Sequence, residues 1–373
     1  MRIAIVAPPW IPTPPPAYGG TEAVLDVLAT GLVQAGHEVM LFATGNSTCK
    51  VPIAYRFDTS LGVGRDDATL TELLHVVCAY EEAKGYDIVH DHTLLGPAYS
   101  GGYPHLPVVT TNHIPFSGGI EEYYRSLSGR IPIIAISNAQ AQAARDIPIA
   151  AVIHHGIDVD EFPIGEGDGG YTLFLGRMNP DKGVHTAIEV ARAAGVELKI
   201  AAKCQERAEK AYFSEVIEPM LGHGVEYLGE VGNEEKRELL ARAACLLNPI
   251  AWPEPFGMVM LEALACGTPV VATHTGAAPE IVDDGVTGYL ADSPLDLAKA
   301  VELASSLDRS KCRASVKEKF SKEIMVQKHL DVYRRVLARF NDRREVGGGE
   351  HLQHREPSPG SSEVSKFPFA IGL

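Results

Sequence analysis

The sequence of 373 residues predicts an α/β protein built from two Rossmann-like, doubly wound domains that face a central cleft. Short runs rich in Val, Ile and Leu alternate with longer, more charged segments, which is typical of buried parallel strands separated by helices. The glycine-rich, acidic segment 162–170 suits a linker, and the alternation begins again after it. Two such series indicate two domains.

The apolar runs give the strand positions. In the first series they lie at 3–7, 38–43, 87–90, 107–111, 131–136 and 151–153. In the second series they lie at 171–175, 196–201, 225–228, 245–250, 269–272 and 288–290. One helix is predicted to begin near Thr21 and another to occupy 257–265, because each follows a strand and precedes the next one.

The end of the chain predicts a long helix followed by a tail. Apolar residues recur in alternating steps of four and three at Val326, Leu330, Tyr333, Leu337 and Phe340. The segment after this helix is polar and has no apolar period, which is typical of disorder. The predicted units are an N-terminal domain at 1–163, a C-terminal domain at 164–322, a helix at 323–343 packing back towards the N-terminal domain, and a disordered tail at 344–373.

Charge and composition exclude several classes of partner. With 33 basic and 48 acidic residues the net charge is −15, so neither nucleic acid nor an anionic membrane is an expected general partner. Six cysteines without a CxxC pair favour reduced thiols. No apolar run is long enough for a signal peptide or a transmembrane segment, so we expect a cytoplasmic protein.

Two adjacent glycines, Gly19 and Gly20, end a proline-rich loop after the first strand and precede a helix. The spacing and the loop length exclude a GxGxxG dinucleotide turn. The glycines still allow backbone amides to approach a ligand, and a helix start favours an anion. The alternative is that they only turn the chain into the helix.

Two cations, Arg177 and Lys182, follow the first strand of the second series. A loop at the carboxyl end of a strand can direct both onto one diphosphate, with the arginine as a fork and the lysine as a point charge. Without further context such a pair is more often a solvated surface feature. Their position at the predicted cleft favours a phosphate site.

The stretch WPEPFGMVMLE at 252–262 places Glu254 ahead of a predicted helix and Glu262 inside it. A rise of roughly 1.5 Å per residue over about five residues argues against a proton shared by the two carboxylates. Free amides of the helix start lie between them, at Phe256, Gly257, Met258 and Val259. A nucleotide sugar, with hydroxyls at both ends and phosphates between, would satisfy these features. Alternatively, both glutamates are solvated.

These residues resemble glycosyltransferase family 4, whose members are retaining enzymes of the GT-B fold. Glu254 and Glu262 are similar to the family's EX7E signature, within Pro-Glu-Pro-Phe-Gly and Glu-Ala-Leu-Ala-Cys-Gly-Thr-Pro-Val. Further similar stretches lie at 18–22, 36–39, 176–183, 227–231 and 279–282. The resemblance covers most of the chain except the tail, and the combination of motifs is specific.

The resemblance implies a hexosyltransferase that moves a sugar from a UDP-, GDP- or ADP-sugar to a hydroxyl of a small-molecule or glycan acceptor. No metal or other cofactor is expected. Glu254 would contact the transferred sugar and Glu262 the ribose, while Arg177 and Lys182 would carry the diphosphate together with the helix start. The N-terminal domain would hold the acceptor.

The resemblance also assigns the remaining site residues. Gly19 and Gly20 match the family's glycine loop beside the reacting centre, and His113 matches a histidine beside the donor sugar. His155 departs from the family, which more often has asparagine there. Two other functions stay open: a GT-B nucleotide-sugar epimerase, which would consume donor without acceptor, and a non-catalytic nucleotide-sugar binding protein.

Three other polar residues have two interpretations each. His90 and His92 could form a metal pair, but no third ligand is near in sequence, so strand-end packing or acceptor contact is favoured. Ser137 is similar to a family serine at a strand end, or it only caps the next helix.

Overall fold

The computed structural model describes the backbone of residues 1–346 and 365–366, and the side chains of residues 1–342. Most of the predicted tail, 344–373, lies outside the described residues. Two parts of it do not: the last helix continues to Val346, and Ser365–Lys366 forms a short strand, so these residues correct the prediction of a tail without structure.

The first sheet has eight strands, numbered here in chain order. They are β1 Arg2–Val6, β2 Glu38–Ala43, β3 Ile53–Tyr55, β4 Ile88–Asp91, β5 Val108–Thr111, β6 Ile133–Ala135, β7 Ile149–Val152 and, from the end of the chain, β14 Ser365–Lys366. The second sheet has six: β8 Tyr171–Arg177, β9 Glu197–Lys203, β10 Val225–Gly229, β11 Leu246–Asn248, β12 Val270–Ala272 and β13 Gly288–Leu290.

Thirteen α-helices connect or follow these strands in the described part of the chain. They are α1 Gly20–Gln34, α2 Ala68–Glu82, α3 Gly96–Tyr99, α4 Gly118–Leu127, α5 Asn138–Ala143, α6 Val184–Ala194, α7 Arg207–Tyr212, α8 Asn233–Arg242, α9 Met258–Ala265, α10 Ala278–Ile281, α11 Pro294–Ala304, α12 Arg309–Lys319 and α13 Lys322–Val346. No helix among the described residues is both long enough and apolar enough to cross a bilayer.

Both sheets are doubly wound, which confirms the predicted fold class. The strand orders are β14-β3-β2-β1-β4-β5-β6-β7 and β10-β9-β8-β11-β12-β13, and the pairings between these strands are parallel. In each sheet the order reverses beside its first long strand, between β1 and β4 and between β8 and β11. Ligands bind at such switch points, outside the carboxyl ends of the strands.

The sequence prediction omitted β3 and β14, which lie at one edge of the first sheet. Strand β3 is only three residues long, and its apolar run is too short to be distinguished from a loop. Strand β14 pairs with it, Ser365 opposite Ala54 and Lys366 opposite Tyr55, and this pairing depends on a long-range contact rather than on local pattern.

Helix α13 packs on the first sheet although it follows the second one. Its residues Val326, Leu330 and Tyr333 are buried in the same core as β1 and α1. Gly31 of α1 permits this close approach, because a Cβ there would stand 2.6 Å from Cγ2 of Val326. The chain therefore returns to its N-terminal half at its end, and the two halves are held together on one side.

The glycine-rich segment between the sheets is bound to the second half. The amides of Gly165, Gly167 and Gly169 donate to backbone oxygens of that half, at 3.1, 3.3 and 2.9 Å. A Cβ at Gly165 would stand 1.9 Å from the Ala241 carbonyl oxygen, so only glycine fits this position. The domain boundaries at 163/164 and 322/323 stay predictions.

Candidate active site

A cleft of about 550 Å³ lies between the carboxyl ends of the two sheets. Both halves line it, and its size lies within the usual range of small-molecule sites. The structure brings together in it all the site residues predicted from the sequence: Gly19, Gly20, His113, Arg177, Lys182, Glu254, Phe256, Gly257, Met258, Val259 and Glu262. Their individual roles stay predictions.

Lys182 and Glu254 form an ion pair in this cleft. The Lys182 Nζ donates to Oε2 of Glu254 at 2.5 Å, and the two side chains are 16% and 17% exposed. The ammonium also lies 5.4 Å from the centre of the Trp252 ring. Gly183 makes the turn that presents the lysine, because its φ is 74° and a Cβ there would stand 2.0 Å from the Pro249 carbonyl oxygen.

Arg177 is held by two carboxylates that the sequence reading did not single out. Its Nε donates to Glu209 and its Nη2 to Glu206, both at 2.8 Å. Burial opposes ionisation of Glu209, but the backbone amides of Glu206 and Gln205 and the guanidinium outweigh it, so the pKa of Glu209 is lowered. Both glutamates also form the capping box of α7. The spacing Glu-x-x-Glu before a helix was the signal available in the sequence.

Lys203 is a further cation of the cleft that sequence reasoning missed. It ends β9 directly opposite Arg177 in the parallel ladder, and its Nζ lies 3.2 Å from Oε1 of Glu206. Its position at the carboxyl end of a strand, beside a predicted phosphate ligand, was the signal that could have found it. Arg177 and Lys203 therefore share one carboxylate, Glu206.

The helix α9 begins at Met258, and the residues of its start line the cleft. Gly257 is its N-cap with φ 107°, a left-handed conformation that favours glycine. Amides in a first turn have no intrahelical acceptor, so this helix start can bind an anion. Within the helix, Glu262 accepts a hydrogen bond from Lys236 of α8 at 2.6 Å. Glu254 and Glu262 are thus paired with different lysines.

The glycine loop at the start of α1 lies opposite α9. A Cβ on Gly20 would stand 3.8 Å from Cγ of Met258, so the two helix starts approach each other across the cleft. A Cβ on Gly19 would stand 2.7 Å from Cβ of Pro15, so the loop itself requires this glycine. In the first turn of α1, the buried side chain of Glu22 also lines the cleft, and burial raises its pKa to about 7.

The histidines form a stack at the N-terminal side of the cleft. His113 lies 2.8 Å from His92, between Nε2 and Nδ1, and its ring stacks on His155 at 5.2 Å. The His155 ring in turn contacts Phe256 at 5.0 Å. Burial lowers the pKa of His113 to about 3, so this imidazole is neutral. In place of the family's asparagine, His155 fills the space between His113 and the loop before α9.

His90 belongs to packing rather than to a metal pair. Its Nδ1 lies 2.7 Å from the Tyr333 hydroxyl of α13, and its Nε2 lies 2.8 Å from the Thr111 hydroxyl. Both ring nitrogens therefore have hydrogen-bond partners. In the part of the chain that the structure describes, no group of three or more His, Cys, Asp or Glu side chains is arranged to hold a metal. Ser137 caps α5 by accepting from Gln140 N at 3.0 Å.

Glu280 of α10 connects the two halves beside the cleft. Its carboxylate accepts from the Asn138 amide at 2.8 Å, from the Ala139 amide at 2.7 Å and from the Nε2 of His154 at 2.7 Å. Burial opposes its ionisation, but these hydrogen bonds outweigh burial and lower the pKa of Glu280 to about 2. A second connection is the hydrogen bond from Asn233 to the Pro15 carbonyl oxygen at 3.1 Å.

Two family models match the chain, one on each half. The model described as Glycosyltransferase Family 4 matches residues 18–161, and the model described as Glycosyl transferases group 1 matches residues 158–322. Together they span residues 18–322.

Two relatives illustrate the similarity. An uncharacterized glycosyltransferase of Methanocaldococcus jannaschii is 32% identical over 52% of this chain, and the match spans 54% of the relative's own length. The phosphatidyl-myo-inositol mannosyltransferase of Mycolicibacterium smegmatis is 27% identical over 87% of this chain and 89% of its own.

Solved structures share the architecture. AviGT4, a glycosyltransferase involved in avilamycin A biosynthesis, is 26% identical with a TM-score of 0.71, covering 90% of this chain and 98% of its own. Anabaena HepE, solved in complex with UDP and glucose, is 22% identical with a TM-score of 0.69, covering 89% and 98%. The two parallel-sheet halves, the cleft between them and these matches show that the chain belongs to the family 4 type of glycosyltransferases with the GT-B fold.

Proposed function

We propose that this enzyme is a retaining, metal-independent glycosyltransferase that uses a nucleoside-diphosphate sugar as donor. The arrangement around α9 carries the proposal. Glu254 and Glu262 lie on either side of the helix start, each beside its own lysine, and Arg177 lies in the same cleft. Cations and a helix start thus share one cleft with two carboxylates, which suits a diphosphate with hydroxyl-bearing groups at both ends.

The donor would add ligand contacts to the existing ion pairs. Lys182 is bound to Glu254 in the free protein, and Arg177 uses Nε and Nη2 for its two glutamates. A diphosphate can reach the rest of the guanidinium fork and one or two of the three ammonium hydrogens without breaking either pair. Glu254 would then accept from hydroxyls of the transferred sugar, and Glu262 from those of the ribose.

The chemical step that we propose is a front-face substitution. The acceptor hydroxyl oxygen forms a bond to the anomeric carbon, on the face that the leaving group occupies, as the bond from that carbon to the β-phosphate oxygen breaks. The hydroxyl proton passes to the departing phosphate oxygen, so atoms and charge balance. Fixed positive groups, namely Arg177, Lys182 and the start of α9, stabilise the charge that develops on the nucleoside diphosphate.

The identity of the donor is tested first by ligand-dependent stability. A ligand that binds only the folded protein raises the unfolding temperature, so UDP, GDP and ADP can be compared at equal concentration. UDP has priority in this panel because HepE was solved with it. The cytoplasmic location and the absence of a metal requirement are part of the proposal, and activity that persists in a chelator is the expected result for the latter.

Substitution of Glu254 tests the proposal. Glu254→Ala is expected to lower kcat about 100- to 1000-fold, because a contact to the reacting sugar acts mainly in the transition state, while the nucleoside diphosphate still binds. Glu318→Ala, which removes an exposed carboxylate of the same half, serves as the control. Full activity of the Glu254 variant would contradict the proposal.

Two further measurements separate the proposal from its alternatives. Donor turnover that requires an acceptor distinguishes a transferase from an epimerase, which would consume donor without one. No turnover of any donor would indicate a binding protein. The anomeric configuration of the product, compared with that of the donor, decides between retention and inversion.

A further inference from the structure

Positive charge in the cleft comes entirely from one half, as far as the described residues show. The lysines and arginines that line it all lie between 177 and 237: Arg177, Lys182, Lys203, Lys236 and Arg237. No lysine or arginine of residues 1–161 lines the cleft. The half opposite the predicted phosphate site therefore offers no cationic side chain to an anionic group.

The charged side chains that the N-terminal half contributes are acidic. Asp158 and Glu161 are paired, with Lys322 and Arg237 respectively, and their charges are compensated. The remaining two, Glu22 and Asp26, lie one turn apart on α1 and both face the cleft. The histidines of this side do not compensate them, because burial lowers the pKa values of His113 and His155.

Glu22 is the more deeply placed of the two. It is 5% exposed, and among the described residues its carboxylate receives a hydrogen bond from its own backbone amide but none, and no ion pair, from another side chain. Asp26 differs from Glu22 in having side-chain partners: it accepts a hydrogen bond from the Cys49 thiol, and the positive charge of the exposed Lys50 favours its ionised form. A carboxylate that is buried in the wall of a substrate cleft, and that has no partner beyond its own backbone amide, points to a ligand that donates hydrogen bonds to it.

The position of Glu22 relative to the donor site is fixed by its neighbours. Its Oε2 lies 3.1 Å from where a Cβ on Gly19 would be, beside the loop that faces the start of α9. Tyr18 also lines the cleft, and the charges of Glu22, Glu254 and Arg177 all act on its hydroxyl group. Apolar side chains complete this wall, namely Ile11, Val63 and Ile114.

We propose that Glu22 and Asp26 form the acceptor subsite, and that this subsite selects a polyhydroxylated or amine-bearing acceptor without a phosphate, sulfate or carboxylate group. The inference rests on the proposed function and adds the class of acceptor. Glu22 accepts a hydrogen bond from an acceptor hydroxyl or ammonium and so orients the acceptor beside the donor sugar. An anionic acceptor is rejected because this wall offers it no cationic side chain, and because its charge would oppose that of Asp26 and of the ionised form of Glu22.

The test is an acceptor panel of matched pairs, with release of nucleoside diphosphate from the donor as the readout. Neutral and amino sugars, disaccharides and cyclitols are each compared with a phosphorylated or carboxylated counterpart, for example glucose and glucosamine with glucose 6-phosphate and glucuronate. At least one neutral or amino compound is expected to raise the release at least tenfold above the rate without acceptor, and its anionic counterpart less than twofold. Stimulation by an anionic compound, or by no neutral or amino compound, would overturn the inference.

Variants connect this selection to Glu22. Glu22→Gln keeps the shape and is expected to raise the acceptor KM at least tenfold while the affinity for the nucleoside diphosphate changes less than twofold. Glu22→Ala provides a second variant of the same position, and Glu82→Gln, at an exposed carboxylate of the same half, is the matched control. An unchanged acceptor KM in a folded Glu22→Gln protein would overturn the role of Glu22. Absence of donor turnover and nucleotide binding in the wild type would instead refute the proposed function itself.

Discussion

Replacing Lys182 by methionine removes one ammonium from the predicted phosphate site and keeps most of the apolar stem. A cation about 4 Å from a phosphate charge is worth about 4 kcal/mol at an effective dielectric constant of 20. Lys182 is already bound to Glu254 at 2.5 Å, so the ligand gains only part of this amount. A charge-assisted hydrogen bond contributes about 1.5–3 kcal/mol, and we expect the nucleoside diphosphate to bind about 10- to 100-fold more weakly.

The same substitution has a cost in the free protein. Without Lys182, the Glu254 carboxylate, 17% exposed, loses its cation, and we expect a loss of about 1–2 kcal/mol in the free energy of unfolding. Adding Glu254→Gln to Lys182→Met should restore part of this stability, because no charge is then left unpaired. Urea denaturation of the single and double variants measures the coupling.

Isothermal titration calorimetry with the nucleoside diphosphate and with the corresponding nucleoside is the assay. The diphosphate is expected to lose affinity for the variant, and the nucleoside is expected to keep its affinity within about threefold. The reason is that the Lys182 ammonium would contact no part of the ligand other than its phosphates. Lys311→Met, at an exposed lysine of the same half, controls for the change in net charge. Unchanged affinity for the diphosphate in a folded Lys182→Met protein would refute the assignment of Lys182 to the phosphate site. The ion pair between Lys182 and Glu254 would then have only a structural role.

Two other predictions follow from carboxylates in the structure. Glu209→Gln weakens the contact that positions the Arg177 guanidinium, and we expect kcat/KM to fall about tenfold. Glu215→Gln, at an exposed position nearby, is the control and should leave kcat/KM unchanged. Equal kcat/KM values for the two variants would show that Arg177 does not need Glu209. Glu280 has a folded pKa of about 2 against 4.5 normally, so its stabilisation is present above pH 4.5 and is lost as the pH falls towards 2. Discounted for solvent contact, this contributes about 1–2 kcal/mol. The urea midpoints of wild type and Glu280→Gln should therefore differ at pH 7, and the difference should shrink below pH 4.5 and approach zero only near pH 2; a constant difference would contradict it.

The positions of the site residues in the sequence were informative because strands in a parallel sheet end at one edge. Arg177 ends β8 and Glu254 follows β11, so the topology alone brings them to the cleft. Lys236 follows no strand end, since it lies within α8, and its contact with Glu262 could not be expected from local pattern. The same holds for Glu22, whose burial depends on how α1 packs.

The sequence by itself determined the α/β class, the two series of strands and the helix start between Glu254 and Glu262, whereas His113 was placed in the site only by the family resemblance. These properties follow from periodicity and spacing, which act over short stretches of chain. Only the tertiary structure decided which charges meet. Lys182 and Glu254 are 72 residues apart, Arg177 and Glu209 are 32 apart, and His90 and Tyr333 are 243 apart. Such pairs form because packing places the side chains within hydrogen-bond distance, and no local pattern encodes that distance.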